Sequence, residues 1–260
     1  MNPFRLLFAH RHILYATTLT EVRGRYTGTL FGLLWAAIYP FLFLGLYAVV
    51  YTLILRVRLE QYSSFEYVLL IFAGLIPFIG FAEALGSTVS SVVSNKNLLK
   101  NTLFPIELLP VKAVLGSSIS MTVGLAGLLL ILWGKGEFSI VQVTVLAVFA
   151  LQIVFTTGVA WLLSALNVFF RDIGQVIGIL TLFLMMVSPI AYTQDMVPDA
   201  LRIFMYPNPL FYIMECYRQI LIFHNFPTIL FLILTFMSFG MFYFGYMLFT
   251  KLKSVFGEYV

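Results

Sequence analysis

The chain has 260 residues and a formal charge of +4; 61% of its residues are hydrophobic and only 10% are charged. A soluble domain needs about a quarter of its residues charged to cover its surface, so this composition excludes a soluble protein and predicts one embedded in lipid. The length allows about six membrane spans with short loops and no separate soluble domain.

The first segment, residues 1–28, is basic and amphipathic. Phe8, Tyr15 and Val22 fall on one helical face, while Arg5 and Arg23 lie roughly opposite. This pattern predicts a helix that lies in the membrane interface. A poorly ordered tail is the alternative.

Six apolar runs follow, and each is near the roughly 20 residues that a membrane crossing needs. The predicted spans are residues 29–55, 65–85, 113–133, 138–170, 174–192 and 227–250. The fourth run exceeds one perpendicular crossing, so we expect it to tilt or to project from the membrane. We therefore predict an all-α integral membrane protein with six transmembrane helices, in a single domain of residues 1–260.

The Lys and Arg residues are distributed unequally between the two sides of this arrangement. With six spans, ten of the 15 fall on the side that holds both termini, and five fall on the other side. The positive-inside rule then places both termini in the cytoplasm, including a short tail at residues 251–260.

Residues 193–226 are too polar for a simple span. The segment carries Asp199, Arg202, Glu215 and Arg218, yet it also has apolar patches and three prolines. A re-entrant helical hairpin on the outer side explains this mixture, because broken helix is tolerated at membrane depth where protein buries it. The alternative, a seventh span at residues 210–226, would move the C-terminal lysines outside, against the charge bias.

Catalytic and metal-binding signatures are absent from the sequence. The three histidines lack the spacing of metal ligands, Cys216 is the only cysteine, and no pair of acids lies within a span. A phosphate-binding loop of the form G-x-x-x-x-G-K-[ST] is also absent. We predict no catalytic residue, no metal and no cofactor on this chain, so any ATP that drives it must bind a partner.

Glu83 is the one acid well inside a predicted span. A proton relay is one interpretation, because intramembrane acids are usually functional. The interpretation we favour is a carboxyl group that hydrogen-bonds a neighbouring helix or reaches the interface, since no partner for a relay is evident.

Two polar islands, at residues 87–112 and 167–173, interrupt the apolar chain on its basic side. In the first, Leu98 and Leu99 would form the apolar contact of a short helix. An ordinary loop is the alternative to such a docking helix. The candidate coupling residues are Asn95, Lys96, Leu98, Leu99, Lys100, Arg171 and Asp172.

Several motifs recur in a fixed order along the chain. They are residues 23–26 (RGRY), 30–35 (LFGLLW), 95–99 with 104–105, 170–172 (FRD), 188–192 (SPIAY) and 208–209. Together they resemble the membrane subunit of a type-2 ABC exporter, from the branch that includes O-antigen, capsule and teichoic acid permeases. The resemblance covers nearly the whole chain.

This resemblance implies a homodimer in the bacterial inner membrane, docked on two copies of a separate ATPase subunit that holds ATP and magnesium. It implies a coupling helix between the second and third spans. It also implies outer gating helices in residues 193–226, with the candidate gate residues Pro189, Tyr192, Pro207, Pro209 and Glu215. The implied substrate is a lipid-linked polysaccharide that moves from cytoplasm to periplasm, and membrane lipid rather than nucleic acid is the other partner.

An aromatic residue at every fourth position of the first span supports a sugar substrate. The series is Phe31, Trp35, Tyr39, Phe43, Tyr47 and Tyr51. It spirals around the helix over roughly 30 Å, and aromatic faces pack against the apolar faces of sugar rings. Lipid-facing or helix-packing aromatics are the alternative. The candidate conduit residues are Trp35, Tyr39, Phe43, Tyr47 and Tyr51.

Three competing hypotheses remain at this stage. A drug or lipid exporter of the same superfamily is the nearest. An integral-membrane enzyme acting on lipid-linked sugars would need an acid pair or a metal cluster. A proton-driven transporter would rest on Glu83 alone.

Overall fold

The computed structural model describes residues 2–54, 62–96 and 104–259, and these residues form helices joined by short connections, without strands. Residues 98–100 of the predicted coupling helix lie outside the described ranges. Within the ranges, the all-α prediction is confirmed.

The N-terminal segment forms two helices, Pro3–Ala9 and Arg11–Tyr26, rather than one. The helix breaks at His10, whose backbone leaves the helical region at φ −106° and ψ 20°. Val22 is buried against the protein, whereas the side chains of Phe8 and Tyr15 are 71% and 73% exposed. The predicted amphipathic segment is thus helical with one break, and its large side chains Phe8 and Tyr15 face away from the rest of the chain.

Six helical segments match the six predicted spans. Their bounds are Gly32–Ile54, Ser64–Thr88, Leu108–Gly134, Ile140–Phe169, Ile173–Val187 and Thr228–Val255. Five are long enough to cross a membrane, and the fifth in order, with 15 residues, is only about 22 Å long. This fifth span stops short of the predicted residue 192 because Pro189 follows, and a proline disfavours helical backbone in the residue before it.

The second span lies at the centre of the bundle. In its apolar window, 83% of the residues are buried, and it contacts the first, third, fourth and fifth spans. The windows of the first and sixth spans are only 22% buried. These two peripheral helices therefore present apolar surface outward, to lipid or to another chain.

Both termini lie on the same side of the bundle. An apolar cluster there joins the N-terminal helix, the connection between spans two and three, and the ends of spans four and six, through Leu6, Val92, Val168, Phe249 and Phe256. We call this side the terminal face. The helix of residues 209–221 has 13 residues and is about 20 Å long. It is shorter than a crossing requires, and the common side of the termini agrees with an even number of spans, so the helices are consistent with the six-span prediction.

The fourth and sixth spans form the most extensive helix pair and run in the same direction. They cross at Gly158 and Gly245. A Cβ at Gly245 would overlap the carbonyl oxygen of Gly158, and a Cβ at Gly158 would overlap that of Met241. Only glycine allows the two backbones to approach this closely.

The variant Gly245→Ala should separate these two spans. Overpacking of this kind costs about 1–3 kcal/mol, so the melting temperature of the purified protein should fall. Gly240→Ala, five residues earlier on the same span and surrounded by open space, is the matched control and should melt like the wild type. Equal melting of both variants would contradict the close crossing.

Candidate functional site

The aromatic residues of the first span form a nearly continuous row of rings. Four of the five successive pairs are in contact: Phe31–Trp35 at 5.6 Å between centroids, Tyr39–Phe43 at 5.7 Å, Phe43–Tyr47 at 5.8 Å and Tyr47–Tyr51 at 5.7 Å. The last pair is stacked, with 13° between the ring planes. All five predicted conduit residues thus belong to this row, which we call the aromatic row.

The aromatic row is only partly covered by the rest of the chain. Phe43, Tyr47 and Tyr51 pack against the main apolar core, while Tyr39 is 42% exposed. Tyr51 lies in a π-helical turn, Val49–Ile54, and such turns are frequent at functional sites. Ring faces at several positions along the first span are therefore accessible to a cavity or to a partner.

A small cavity lies at the end of the aromatic row away from the terminal face. Its volume is about 50 Å³, and its walls come from the first span and from the end of the fifth. The lining residues are Tyr47, Tyr51, Met185, Met186, Ser188, Ile190, Ala191 and Tyr192. The first and fifth spans therefore meet at the place where the fifth span breaks.

Residues 188–192 form this break, and two buried side chains pair with its carbonyl groups. Arg218 donates to the oxygens of Tyr192 at 2.9 Å and Ile190 at 2.6 Å. The hydroxyl of Tyr67 donates to Ala191 at 2.7 Å. Non-helical backbone at membrane depth requires such partners, because lipid supplies none.

Arg218 is fully buried. Its guanidinium group lies against Gly74, ten residues into the second span and thus about 15 Å along that helix, near the middle of a bilayer core. Glu215 is the nearest acid, with an oxygen 3.9 Å from Arg218 Nη1. Of the predicted gate residues, Glu215 therefore contributes to the charge environment of this arginine.

The remaining predicted gate residues surround the same break. Pro189 is buried within it, and the hydroxyl of Tyr192 donates to the oxygen of Val187 at 2.6 Å. Pro209 begins the helix Pro209–Leu221, and Pro207 is exposed just before it. The base of the loop closes through Asn208, whose amide donates to Ser188 Oγ at 2.9 Å.

The two polar islands meet on the terminal face. Val93 and Phe104, which flank the segment outside the described ranges, join the same apolar cluster as Phe169 at the end of the fourth span. Arg171 and Asp172 are exposed beside it.

On the first island, the side chain of Asn95 donates to the oxygen of Ser91 at 2.8 Å, and Lys96 is exposed. The predicted coupling residues among the described ones thus share one surface.

An ion pair between a buried glutamate and an exposed lysine ties the end of the first island to the C-terminal part of the chain. Glu107 is 4% exposed, and Lys253 Nζ donates to its carboxylate. The indole of buried Trp161 donates to the backbone oxygen of Glu107 at 2.9 Å. These contacts hold the connection against the fourth and sixth spans.

The sequence interpretation did not single out Arg218, Glu107 or Lys253 as site residues. Arg218 had a detectable signal, since it interrupts the apolar face of a strongly amphipathic helix three residues after Glu215. The pair of Glu107 and Lys253 had none, because the two residues are separated by 146 positions.

Among the described residues, no group of three His, Cys, Asp or Glu side chains could hold a metal ion. Polar side chains lie at the break of the fifth span and on the terminal face, and others, such as Gln152, lie within the spans. The fold and these sites define a multi-pass α-helical membrane protein whose first span carries the aromatic row. Residues 14–222 match the family described as ABC-2 type transporter, and the chain belongs to this family.

Two bacteria supply similar proteins, each called "O-antigen export system permease protein RfbA". The one from Myxococcus xanthus is 26% identical over 226 residues, which cover 86% of this chain and 85% of the relative. One from Klebsiella pneumoniae is 28% identical over 251 residues, covering 95% and 94%. A second from Klebsiella pneumoniae is 27% identical over 249 residues, with the same coverage.

The variant Arg218→Met should destabilise the protein by about 3 kcal/mol. It leaves the carbonyl groups of Ile190 and Tyr192 unpaired in a buried site, where hydrogen bonds to a charged donor contribute about 1.5–3 kcal/mol each. Relief of the buried charge offsets part of this loss. Thermal unfolding in detergent measures the change.

Arg202→Met is the control for this experiment. Arg202 also donates to backbone oxygens, of Gln194 and Val197, but it is partly exposed. Its loss should cost less than about 1 kcal/mol. An Arg218→Met protein as stable as the Arg202→Met protein would show that the break does not depend on Arg218.

Proposed function

We propose that this chain is the membrane subunit of an ATP-driven exporter that moves a lipid-linked polysaccharide, O-antigen-like, from the cytoplasm to the periplasm. The observation that carries the proposal is the similarity to three O-antigen export permeases over 86–95% of the chain. The aromatic row supports a sugar substrate, because flat rings accept many sugar sequences without specific hydrogen bonds.

In this proposal two copies of the chain enclose the path. A hydrated polymer is too wide for the centre of one subunit, where the second span is 83% buried. The first span carries the aromatic row and leaves most of its surface uncovered by its own subunit. A second copy packed beside it would turn this peripheral helix into the wall of a passage.

The terminal face is proposed as the docking surface for two copies of a separate ATPase subunit, which bind the ATP and magnesium. The two islands lie side by side there, and Phe170 between the fourth and fifth spans is 64% exposed. The carboxylate of buried Glu107, held by Lys253, would transmit movement of the island to the sixth span. The positive-inside rule supports a cytoplasmic location for this face, in the inner membrane.

Residues 193–226 are proposed as the outer gate. The break at residues 188–192 and the helix Pro209–Leu221 are joined by hydrogen bonds of Arg218 and Asn208 rather than by continuous helix. The break and this helix can therefore move together when the first and fifth spans separate. The small cavity at Tyr47 and Tyr51 lies where that separation would open the path.

Deletion of this chain should abolish surface polysaccharide and leave lipid-linked polymer inside the cell. The measurement is immunodetection of the polymer on intact and on lysed cells. Plasmid-borne wild-type chain is the control and should restore the surface signal. Unchanged surface polymer, with a loss of drug or lipid efflux instead, would favour the other exporters of the superfamily.

Replacing Tyr39, Phe43 and Tyr47 together distinguishes sugar stacking from simple packing. Aromatic contacts are worth about 0.5–1.5 kcal/mol each, so the triple Ala variant should export much less polymer. The triple Leu variant keeps apolar bulk and lacks flat faces, so it should also export poorly. Recovery of the ATPase with both variants should stay normal, and normal export by the Leu variant would refute stacking.

A further inference from the structure

We propose that the first span carries, at its terminal-face end, a binding subsite for one neutral sugar ring. Trp35 and Tyr39 supply its stacking faces, Glu83 supplies a hydrogen-bond acceptor, and Arg25 supplies a donor. The inference rests on the proposed function, because the sugar would belong to the exported polymer.

The subsite is a cavity of about 230 Å³. It is lined by Arg25, Tyr26, Trp35, Tyr39, Glu83 and Ser120. These residues come from four elements: the second N-terminal helix and the first, second and third spans. The volume is below the roughly 300–1,000 Å³ of pockets for drug-sized ligands, so the cavity suits one ring rather than an oligosaccharide.

The composition of the lining matches a sugar. Three side chains are aromatic, the other three are polar or charged, and none is aliphatic, in a chain that is 61% hydrophobic. A pyranose has apolar C–H faces and a rim of hydroxyl groups. Aromatic rings suit the faces, while a carboxylate and a guanidinium group suit the hydroxyls.

Glu83 and Arg25 do not form an ion pair. Ser120 lines the same cavity as Glu83, and its hydroxyl group can donate a hydrogen bond. The ion pairs among the described residues do not include Glu83 with Arg25. The acceptor and the donor therefore stand separately on the cavity wall.

Arg25 is held in place from behind. Its Nη2 donates to Ser117 Oγ at 3.0 Å and lies 3.4 Å from the backbone oxygen of Ala113, both on the third span. Ser117 in turn is 3.0 Å from Ser87 Oγ on the second span. This network fixes the guanidinium group beside the cavity, and fixed polar groups lose less entropy when a ligand binds.

The charges also select the kind of ligand. The wall carries one carboxyl group and one guanidinium group, so its formal charges cancel, and a ligand without net charge matches it. Trp35 and Tyr39 belong both to this cavity and to the aromatic row, so the subsite lies in the half of the row nearer the terminal face. Glu83 thereby acquires a role in recognition, without the second acid that a proton relay would need.

Photo-crosslinking in exporting cells tests the subsite without knowledge of the polymer. The variant Trp35→p-benzoylphenylalanine is expressed with the ATPase subunit, and adducts are detected by antibody against the polysaccharide. We expect a polymer adduct at this position. The same replacement of Phe236, 82% exposed on the sixth span, is the aromatic control and should give none.

Substitutions of Glu83 then test its role as an acceptor. Glu83→Leu removes a hydrogen bond to a charged group and should lower the adduct yield about ten-fold or more. Glu83→Gln keeps one acceptor oxygen and should lower it only about three-fold. Glu66→Gln, at the other end of the same span, keeps the N-terminal cap and should change nothing.

Two results would overturn the subsite while leaving the proposed function intact. One is normal export without any adduct at position 35. The other is an unchanged adduct in Glu83→Leu, with the assembled complex recovered in normal amount. Equal loss of export in Glu83→Gln and Glu83→Leu would instead assign the carboxyl group a charge-dependent role. By contrast, surface polysaccharide that persists after deletion of this chain would refute the proposed function itself.

Discussion

Hydrocarbon offers no hydrogen-bonding partner, so every backbone group at membrane depth must find one within the protein. The spans meet this requirement by being helical. Residues 188–192 meet it differently, because Arg218 and Tyr67 pair with the carbonyl groups that the break leaves open. These hydrogen bonds let the backbone leave the helical conformation between the fifth span and the helix Pro209–Leu221.

The bundle combines a tightly fixed part with a loosely held one. The second span is almost enclosed, and the fourth and sixth spans touch through the backbones of Gly158 and Gly245. The first span has little buried surface, contains Pro40 and ends in a π-helical turn. Elements with few buried contacts are the ones that open at low free-energy cost. The aromatic row therefore lies on a helix that the rest of the fold constrains weakly.

The architecture could be predicted from the sequence to the extent that it depends on local properties. Span number follows from hydropathy and length, and the common side of the termini agrees with the Lys and Arg bias. The end of the fifth span before residue 188 could also be predicted, because Pro189 disfavours helical backbone in the residue before it. The environment of Arg218 was not, because it depends on the space that Gly74 leaves on another helix. The cavity between Arg25 and Glu83 likewise required the packing of four separate elements.

The ion pair between Glu107 and Lys253 has a consequence for biosynthesis. Its two residues are 146 positions apart, so the connection between spans two and three gains this partner only after nearly all of the chain has left the ribosome. Phe256 closes the same apolar cluster from the last helix. A chain that stalls before its final span leaves the carboxylate of Glu107 without its cation. The terminal face is therefore completed last, and an unfinished subunit cannot present it in its final form.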